Sequence, residues 1–148
     1  MQSVLWEPES AWTPPKACAS FRDCKRIALD LETCDPSLKT RGPSVRNGGY
    51  IAGIALALDT SVDAVFYYPI AHKAGGNLYK PSVLAWLREE ALAYKGTVVG
   101  ANLLYDLDYL AHIGITFPNA KFCDVLLAES LLDEHGYWSL NDVGFKHC

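Results

Sequence analysis

Several features that would place this chain in a familiar class are scarce or missing. Its five cysteines are odd in number and form no Cys-x-x-Cys pair, which argues against a disulfide framework and a thiolate zinc site. The longest apolar run, residues 51–58, is far too short to cross a bilayer. No basic region followed by an apolar stretch opens the chain, so no secretory signal is visible. We therefore expect a cytoplasmic protein in a reducing compartment, with no membrane partner.

Positive charge is also in short supply. The chain has 13 lysines and arginines against 17 aspartates and glutamates, a net charge of −4. This composition lacks the basic footprint that drives tight, sequence-independent binding to nucleic acids. No G-x-G-x-x-G follows the first predicted strand and no P-loop lysine motif occurs, which disfavours a nucleotide-binding α/β domain. Any nucleic acid must therefore be held locally, through metal ions and short-range contacts.

What is present is an alternation of predicted strands and helices after an irregular N-terminal arm. The 148 residues, half of them hydrophobic, are enough for one domain with a sizeable core. In the arm, residues 1–23, Trp6 and Trp12 are expected to act as anchors by burial, with a partner-binding peptide as the alternative. Strands are predicted at residues 26–32, 50–58, 62–70, 97–100 and 122–124, and helices at 81–94, 102–112, 124–132 and from 139 onward. This order predicts an α/β fold, a mixed sheet flanked by helices.

Two acidic motifs indicate the chemistry. On the first strand the two-residue period directs Asp30 and Glu32 to the same face, and the second motif places Asp106 near the start of a helix. The strand is expected to be buried, and buried carboxylates without basic partners are costly unless a cation neutralises them. Oxygen ligands suit Mg²⁺ or Mn²⁺, whose characteristic enzyme chemistry is on phosphates. The prediction is a metal site of these three carboxylates.

Asn102 and Tyr105, beside Asp106 in the second motif, each have alternative interpretations. Asn102 lies four residues before Asp106 and shares its helical face, so it either caps the helix, contacts the substrate backbone, or does both. Tyr105 either contacts a terminal nucleotide through its ring or packs in the core beside Leu104. Asp108, two residues round the helix, is expected to face solvent.

Other polar residues have simpler interpretations, with functional alternatives kept open. Asp124 is expected to cap the helix that follows it, with support of the site as the alternative. In the long loop at residues 33–49, the basic side chains are expected to be solvated, with phosphate contacts as the alternative. They are Lys39, Arg41 and Arg46.

Together and in this order, the motifs resemble those of the 3′–5′ proofreading exonuclease domain of family A DNA polymerases, within the DEDD exonuclease superfamily. Residues 27–33 are similar to the first exonuclease motif, and residues 99–106 to the second. Residues 65–72 resemble the strand end and turn after the hairpin, and residues 122–129 the helix that follows. The resemblance is greatest to phage-type members. It covers residues 24–148 as one exonuclease-like domain and implies a ribonuclease H-like architecture.

The resemblance also implies an activity and a set of roles. The activity is removal of nucleotides from single-stranded or mismatched DNA 3′ ends by two-metal phosphodiester hydrolysis, in a bacterial or phage-infected cell. Asp30 would bridge both Mg²⁺ or Mn²⁺ ions, Glu32 would hold the ion that activates water, and Asp106 would hold the second. Asn102 and Tyr105 would contact the substrate. The implied partner is a polymerase domain of the same or a neighbouring polypeptide.

The family's third motif, Tyr-x-x-x-Asp, supplies a fourth carboxylate and falls beyond Cys148 in this resemblance. The domain is therefore expected to be C-terminally incomplete within these residues and to cleave slowly or not at all alone. Tyr137 and Asp142 are a disfavoured substitute, because their spacing is off by one and a capping box accounts for Asp142. The alternative function is a nuclease-like module that binds DNA or a replication partner without cleaving.

Overall fold

The computed structural model of the protein describes residues 12–42, 44–136 and 138–148. Trp6, expected to be an anchor, and Tyr137 of the substitute motif lie outside the described residues. In chain order, the elements are β1 (Arg26–Cys34), α1 (Leu38–Arg41), a 3₁₀ turn (Val45–Asn47), β2 (Tyr50–Leu58), β3 (Val65–Pro69), α2 (Lys80–Ala93), β4 (Thr97–Gly100), α3 (Leu103–His112), β5 (Lys121–Asp124), α4 (Val125–Leu132) and α5 (Leu140–His147).

The strands form one mixed sheet in the order β3-β2-β1-β4-β5. β2 pairs antiparallel with β1 and β3, whereas β4 pairs parallel with β1 and β5. The parallel pairs are reached through crossovers that contain α2 and α3, as parallel pairing requires. This confirms the predicted α/β class with a mixed sheet and flanking helices, and the architecture is consistent with a ribonuclease H-like fold. It puts β1 in the middle of the sheet.

The two faces of β1 lie in different surroundings. Ile27, Leu29 and Leu31 are buried in the core, which the sheet forms with α2 and α3. Asp30 and Glu32 point to the other face, as the period predicts, and are exposed. The expectation that these two carboxylates are buried is therefore wrong. The core-facing residues are large and apolar, whereas the other face carries small residues such as Ala28 and Ala55 and leaves its carboxylates in contact with solvent.

Two stretches of the chain differ from the prediction for local reasons. β3 begins at Val65 rather than at residue 62, because the hairpin turn is longer than expected. The amide of Ala64 donates to the Ser61 carbonyl at 3.2 Å, and the amide of Leu58 donates to the Ala64 carbonyl at 2.9 Å. The stretch at 33–49 is not a plain loop, since it contains the last residues of β1, α1 and the 3₁₀ turn.

The described part of the arm, residues 12–23, has no helix or strand, as predicted, but tryptophan burial does not anchor it. Trp12 retains 51% of its surface exposed, whereas Phe21 is fully buried. Phe21 packs edge-on against Trp86 and Tyr94, with ring centroids 5.9 and 5.5 Å away. A phenylalanine therefore provides the aromatic anchor that the sequence assigned to Trp12.

A buried carboxylate on α2 completes the attachment of the arm. Glu90, 3% exposed, accepts hydrogen bonds from the Ser20 hydroxyl at 2.9 Å, the Phe21 amide at 2.8 Å and Arg22 Nε at 2.6 Å. Burial alone would raise the pKa of Glu90, but these donors and the Arg22 charge hold it below its ordinary value. The carboxylate therefore stays ionised and fixes the arm to the domain.

All five cysteines are free thiols, with Cys24 buried and Cys123 and Cys148 exposed. No helix among the described residues is both long enough and apolar enough to cross a bilayer.

Candidate active site

The centre of the site is the contact between β1 and the first turn of α3. Asp106 is 3% exposed, and its Oδ1 accepts a hydrogen bond from the Leu31 amide at 3.1 Å. Burial and the nearby charge of Asp30 raise the pKa of Asp106 from 3.8 to about 6, although the Leu31 hydrogen bond opposes the rise. The charge of Asp30 therefore lies close enough to disfavour the ionised form of Asp106.

A β-bulge lies immediately after Glu32. Glu32 pairs with Gly53 on β2, but the next residue, Thr33, pairs with Ile51, so Ala52 is the extra residue. Bulges re-aim side chains and are common beside active sites. Here the bulge is on β2 and interrupts its regular pairing with β1 directly after the second predicted metal ligand. Glu32 also lines an open cavity of about 430 Å³ whose other walls include Tyr50, His72 and Lys73.

The three carboxylates are chemically suited to a hard cation, but they do not form a preformed binding site. Among the described residues, no group of three or more His, Cys, Asp or Glu side chains is arranged to hold a metal ion. Asp30 and Glu32 are exposed, whereas Asp106 is buried and held by the Leu31 amide. No lysine or arginine in the described ranges forms an ion pair with Asp106. Binding of a cation would thus require the two exposed carboxylates to turn towards the buried one.

Asn102 occupies the N-cap position of α3 without capping it through its side chain. Its backbone is left-handed, with φ 56°, and its side chain makes no capping hydrogen bond. The capping interpretation of Asn102 is therefore wrong. Asparagine is among the few non-glycine residues that tolerate this conformation, which accounts for its presence at the turn. Its exposed amide remains available to a ligand, and substrate contact stays a prediction.

The carboxylate of Asp124 caps two helices. It accepts from the amides of Asn102 at 3.2 Å and Leu103 at 2.7 Å, at the start of α3. It also accepts from the amides of Leu126 at 3.0 Å and Leu127 at 3.3 Å, at the start of α4. The predicted cap of its own helix is confirmed. The second cap supports the site, because it fixes the turn that leads into Asp106.

Replacing Asp124 by alanine should lower the free energy of unfolding by about 1–2 kcal/mol, the upper part of the range for a single lost cap. Chemical denaturation monitored by circular dichroism measures this loss. The exposed Asp63, in the β2–β3 turn, provides a matched control whose replacement by alanine should have little effect. Equal losses for the two variants would show that the double cap contributes nothing.

Tyr105 is fixed at the end of β1 by its hydroxyl group. The hydroxyl donates to Asp35 Oδ2 at 2.7 Å and lies 2.7 Å from the Thr33 hydroxyl. Its ring packs against Tyr109, with centroids 4.9 Å apart. Leu104, the expected core neighbour, is 78% exposed, so that part of the interpretation is wrong. Contact of Tyr105 with a nucleotide stays a prediction.

Asp35 is a site residue that sequence reasoning missed. Besides Tyr105, it accepts hydrogen bonds from the Tyr109 hydroxyl, the Ser44 amide at 3.0 Å and the Thr33 hydroxyl at 3.3 Å. Burial raises the pKa of Asp35, but the four donors outweigh it and leave the pKa below its ordinary value. The available signal was an Asp-Pro pair directly after β1, which is typical of a turn. The residue ties the segment after Glu32 to α3.

Asp108 on α3 forms an ion pair with Arg46. Arg46 makes two hydrogen bonds to Asp108, at 2.7 and 2.8 Å, and holds the 3₁₀ turn on α3. Arg46 is therefore neither simply solvated nor free for a phosphate. Asp108 lies at the partly exposed surface, as predicted, but with a partner.

The C-terminal helices form a hairpin with its own ion cluster. Ser139 and Asp142 form the predicted capping box at the start of α5. Glu129 on α4, 3% exposed, pairs with Lys146 and, at 2.7 Å, with His147 Nε2. The role of Asp142 in the cap weighs against its use as a substitute metal ligand.

Comparison with family models gives no match. The DNA-directed DNA polymerase of Pseudomonas phage M6 is 41% identical over 140 residues, covering 90% of this chain and 21% of that polymerase. The DNA polymerase DpoZ of Vibrio phage phiVC8 is 34% identical over 83 residues, covering 53% of this chain and 13% of that protein. The chain thus spans a small fraction of the length of either relative. Because the first similarity covers nearly the whole chain, this protein is related to phage DNA polymerases.

Proposed function

We propose that this chain is the 3′–5′ exonuclease portion of a phage DNA polymerase and removes nucleotides from single-stranded or mismatched DNA ends in the infected cell. The observation that carries the proposal is Asp106, a buried carboxylate without a basic partner that is fixed to β1 and close to the charge of Asp30. Such an arrangement is costly for folding alone and is relieved by a bound cation. The phage polymerase relatives supply the DNA context.

The three carboxylates would divide the ligand positions between them. A pair of bound Mg²⁺ or Mn²⁺ ions would activate water and stabilise the leaving oxygen of the phosphodiester. Because the Leu31 amide donates a hydrogen bond to Asp106 Oδ1, we expect Oδ2 to be the ligand atom. Asp30, on the strand that contacts Asp106, would be shared by both ions, and Glu32 would hold the ion that activates water.

Open space beside these carboxylates suits a single DNA strand. The cavity at Glu32 adjoins the exposed side chain of Lys73, a cation for backbone phosphate. On the other side, a groove of about 390 Å³ runs along the sheet face past Asp30. The exposed amide of Asn102 and the half-buried Tyr105 would contact the terminal nucleotide beside the reacting phosphate. This local cationic contact is consistent with a chain whose net charge is negative.

A second candidate is a nuclease-like module that binds DNA or a replication partner and does not cleave. The observation that favours it is the absence, among the described residues, of three ligands already arranged around an ion. The two candidates differ in their response to metal. An exonuclease site should gain stability from Mg²⁺ or Mn²⁺ through its carboxylates, and a non-cleaving module need not.

In a thermal-shift experiment, Mn²⁺ at about ten times its dissociation constant should raise the midpoint of unfolding by about 3–6 °C, from roughly 1.4 kcal/mol of binding energy. Asp30→Ala should remove this shift, because it deletes the bridging ligand. Asp63→Ala, which removes an exposed carboxylate from the hairpin turn, should retain it. If wild type and Asp30→Ala respond equally, the cation site is not at Asp30 and the exonuclease proposal fails.

A further inference from the structure

Tyr67 on β3 reaches across the sheet face towards Glu32. In the strand register, Tyr67 pairs with Ala55 and therefore lies on the carboxylate face. Its hydroxyl lies over Gly53, where a Cβ atom would overlap it. Gly53 is the residue that pairs with Glu32. The missing side chain at Gly53 thus leaves room for the Tyr67 hydroxyl beside the predicted metal ligand.

The hydroxyl of Tyr67 is hydrogen-bonded to Nε2 of His72, which follows β3. The extra residue of the bulge, Ala52, holds this segment, because its carbonyl accepts from the amides of Ile70 at 2.9 Å and Ala71 at 3.0 Å. The backbone of His72 makes two further hydrogen bonds with the Asn77 side chain, at 2.7 and 2.8 Å. The bulge that shifts the pairing register after Glu32 therefore also fixes the segment that carries His72.

A further ring contact holds Tyr67 on the carboxylate face. The Trp12 ring lies 5.9 Å from the Tyr67 ring and helps to hold it on the sheet. These contacts hold the Tyr67 side chain in one position.

We propose that Tyr67 is a positioning residue for the metal site, held by His72 and donating a hydrogen bond to the Glu32 carboxylate. An N–H at Nε2 of His72 would donate to the Tyr67 oxygen, and the Tyr67 O–H would donate to one oxygen of Glu32. The other oxygen of Glu32 is then left to ligate the ion. This inference rests on the proposed exonuclease function, because it assumes that Glu32 is a metal ligand.

The open arrangement of the site explains how the Tyr67–Glu32 contact would favour metal binding. Glu32 is exposed, and an exposed glutamate loses rotamer freedom when it ligates an ion. A hydrogen bond from a fixed hydroxyl removes part of that freedom before the ion binds. Partners of this kind orient carboxylate ligands, and their removal commonly weakens metal binding by about tenfold or more.

Calorimetric titration of the 148-residue chain with Mn²⁺ tests the role of Tyr67. Tyr67→Phe should weaken binding by about tenfold, because it removes only the hydroxyl. Tyr68→Phe is the matched control, since Tyr68 lies on the opposite face and its hydroxyl accepts from the Ala19 amide at 3.0 Å. This control should bind Mn²⁺ within about twofold of wild type. Circular dichroism of each variant verifies that the fold is retained.

Variants at His72 and Gly53 test the same contact without altering Tyr67. His72→Leu should weaken Mn²⁺ binding about as much as Tyr67→Phe, whereas His72→Gln, which keeps an N–H donor, should recover most of the loss. Gly53→Ala should also weaken binding, because the added methyl group displaces the hydroxyl. A merely structural role for the pair would not give recovery with glutamine. These variants remain informative if Tyr67→Phe unfolds.

The outcomes separate this inference from the proposed function. If wild type does not bind Mn²⁺, or binds it equally after Asp30→Ala, the metal site and the role of Tyr67 are both wrong. If wild type binds Mn²⁺ through Asp30 but Tyr67→Phe and His72→Leu bind it equally well, only the role of Tyr67 is overturned. Weakening by Tyr67→Phe and His72→Leu, with recovery by His72→Gln, supports it.

Discussion

Asp106→Asn should abolish metal-dependent shortening of a single-stranded DNA 3′ end, while Asp108→Asn should leave the rate within a few-fold of wild type. The two residues lie on α3, but two positions along a helix correspond to about 200° of rotation. Asp106 faces β1 and Asp30, whereas Asp108 faces Arg46 at the surface. A lost metal ligand removes several kcal/mol of transition-state stabilisation, which is roughly a thousandfold in rate.

The asparagine substitution is conservative for the fold. Its side-chain oxygen can still accept the hydrogen bond from the Leu31 amide that Asp106 Oδ1 accepts. Asp108→Asn removes one charge of a partly exposed pair, and such pairs contribute little to stability. Loss of activity in the first variant alone would therefore reflect chemistry rather than unfolding.

The measurement uses 5′-labelled single-stranded DNA with Mg²⁺, and with EDTA as the metal-free control. Rates are compared in the 148-residue chain and in a longer polypeptide that continues as the phage relatives do. The slow cleavage expected of the shorter form makes this comparison necessary. Comparable losses in both variants would mean that the face of α3 is misassigned, and absence of metal-dependent cleavage in every form would overturn the exonuclease proposal.

Periodicity explains what could be predicted from the sequence. The two-residue period of β1 placed Asp30 and Glu32 on one face, and the helical period placed Asp106 near the start of α3. Burial could not be predicted in the same way, because it depends on what covers each face of the sheet. Of the three predicted metal ligands, the two on β1 are exposed and only Asp106 is buried.

The supporting interactions join residues far apart in the chain. Glu90 binds an amide 69 residues earlier, and Asp35 binds a hydroxyl 74 residues later. No local pattern identifies such pairs, since a lone acidic residue on a helix or in a loop is usually solvated. The second cap of Asp124 was missed for the same reason. Its partner Leu103 lies 21 residues earlier and meets it only because β4 and β5 pair.

Asn102 illustrates a different limit of prediction from sequence. Sequence preference identified an N-cap residue correctly by position, but the backbone there is left-handed and its side chain is not the cap. The same amino acid is favoured at N-caps and in left-handed turns, so composition cannot separate the two. The distinction matters for function, because an amide that is not engaged in capping can bind a ligand.

The raised pKa of Asp106 predicts an unusual pH dependence of stability in the metal-free protein. Its pKa is about 6 in the folded state against an ordinary value of 3.8, so the folded state binds the proton more tightly than the unfolded state does. This preference stabilises the fold at low pH and is lost as the pH rises through the folded-state pKa. The whole effect is roughly 3 kcal/mol, of which about 2 kcal/mol falls between pH 4.5 and 7.5.

Denaturation of wild type and Asp106→Asn in EDTA across this pH range isolates the effect. The asparagine variant does not titrate at this position, so its free energy of unfolding should rise relative to wild type by about 2 kcal/mol from pH 4.5 to 7.5. The other shifted carboxylates, such as Asp35 and Glu90, have lowered pKa values, and the difference between the two proteins cancels them. Excess Mn²⁺ should stabilise wild type most at the high-pH end, because a cation competes with the proton for Asp106. A constant difference between the two proteins across the range would show that Asp106 ionises normally, and would remove the electrostatic reason for a cation at this position.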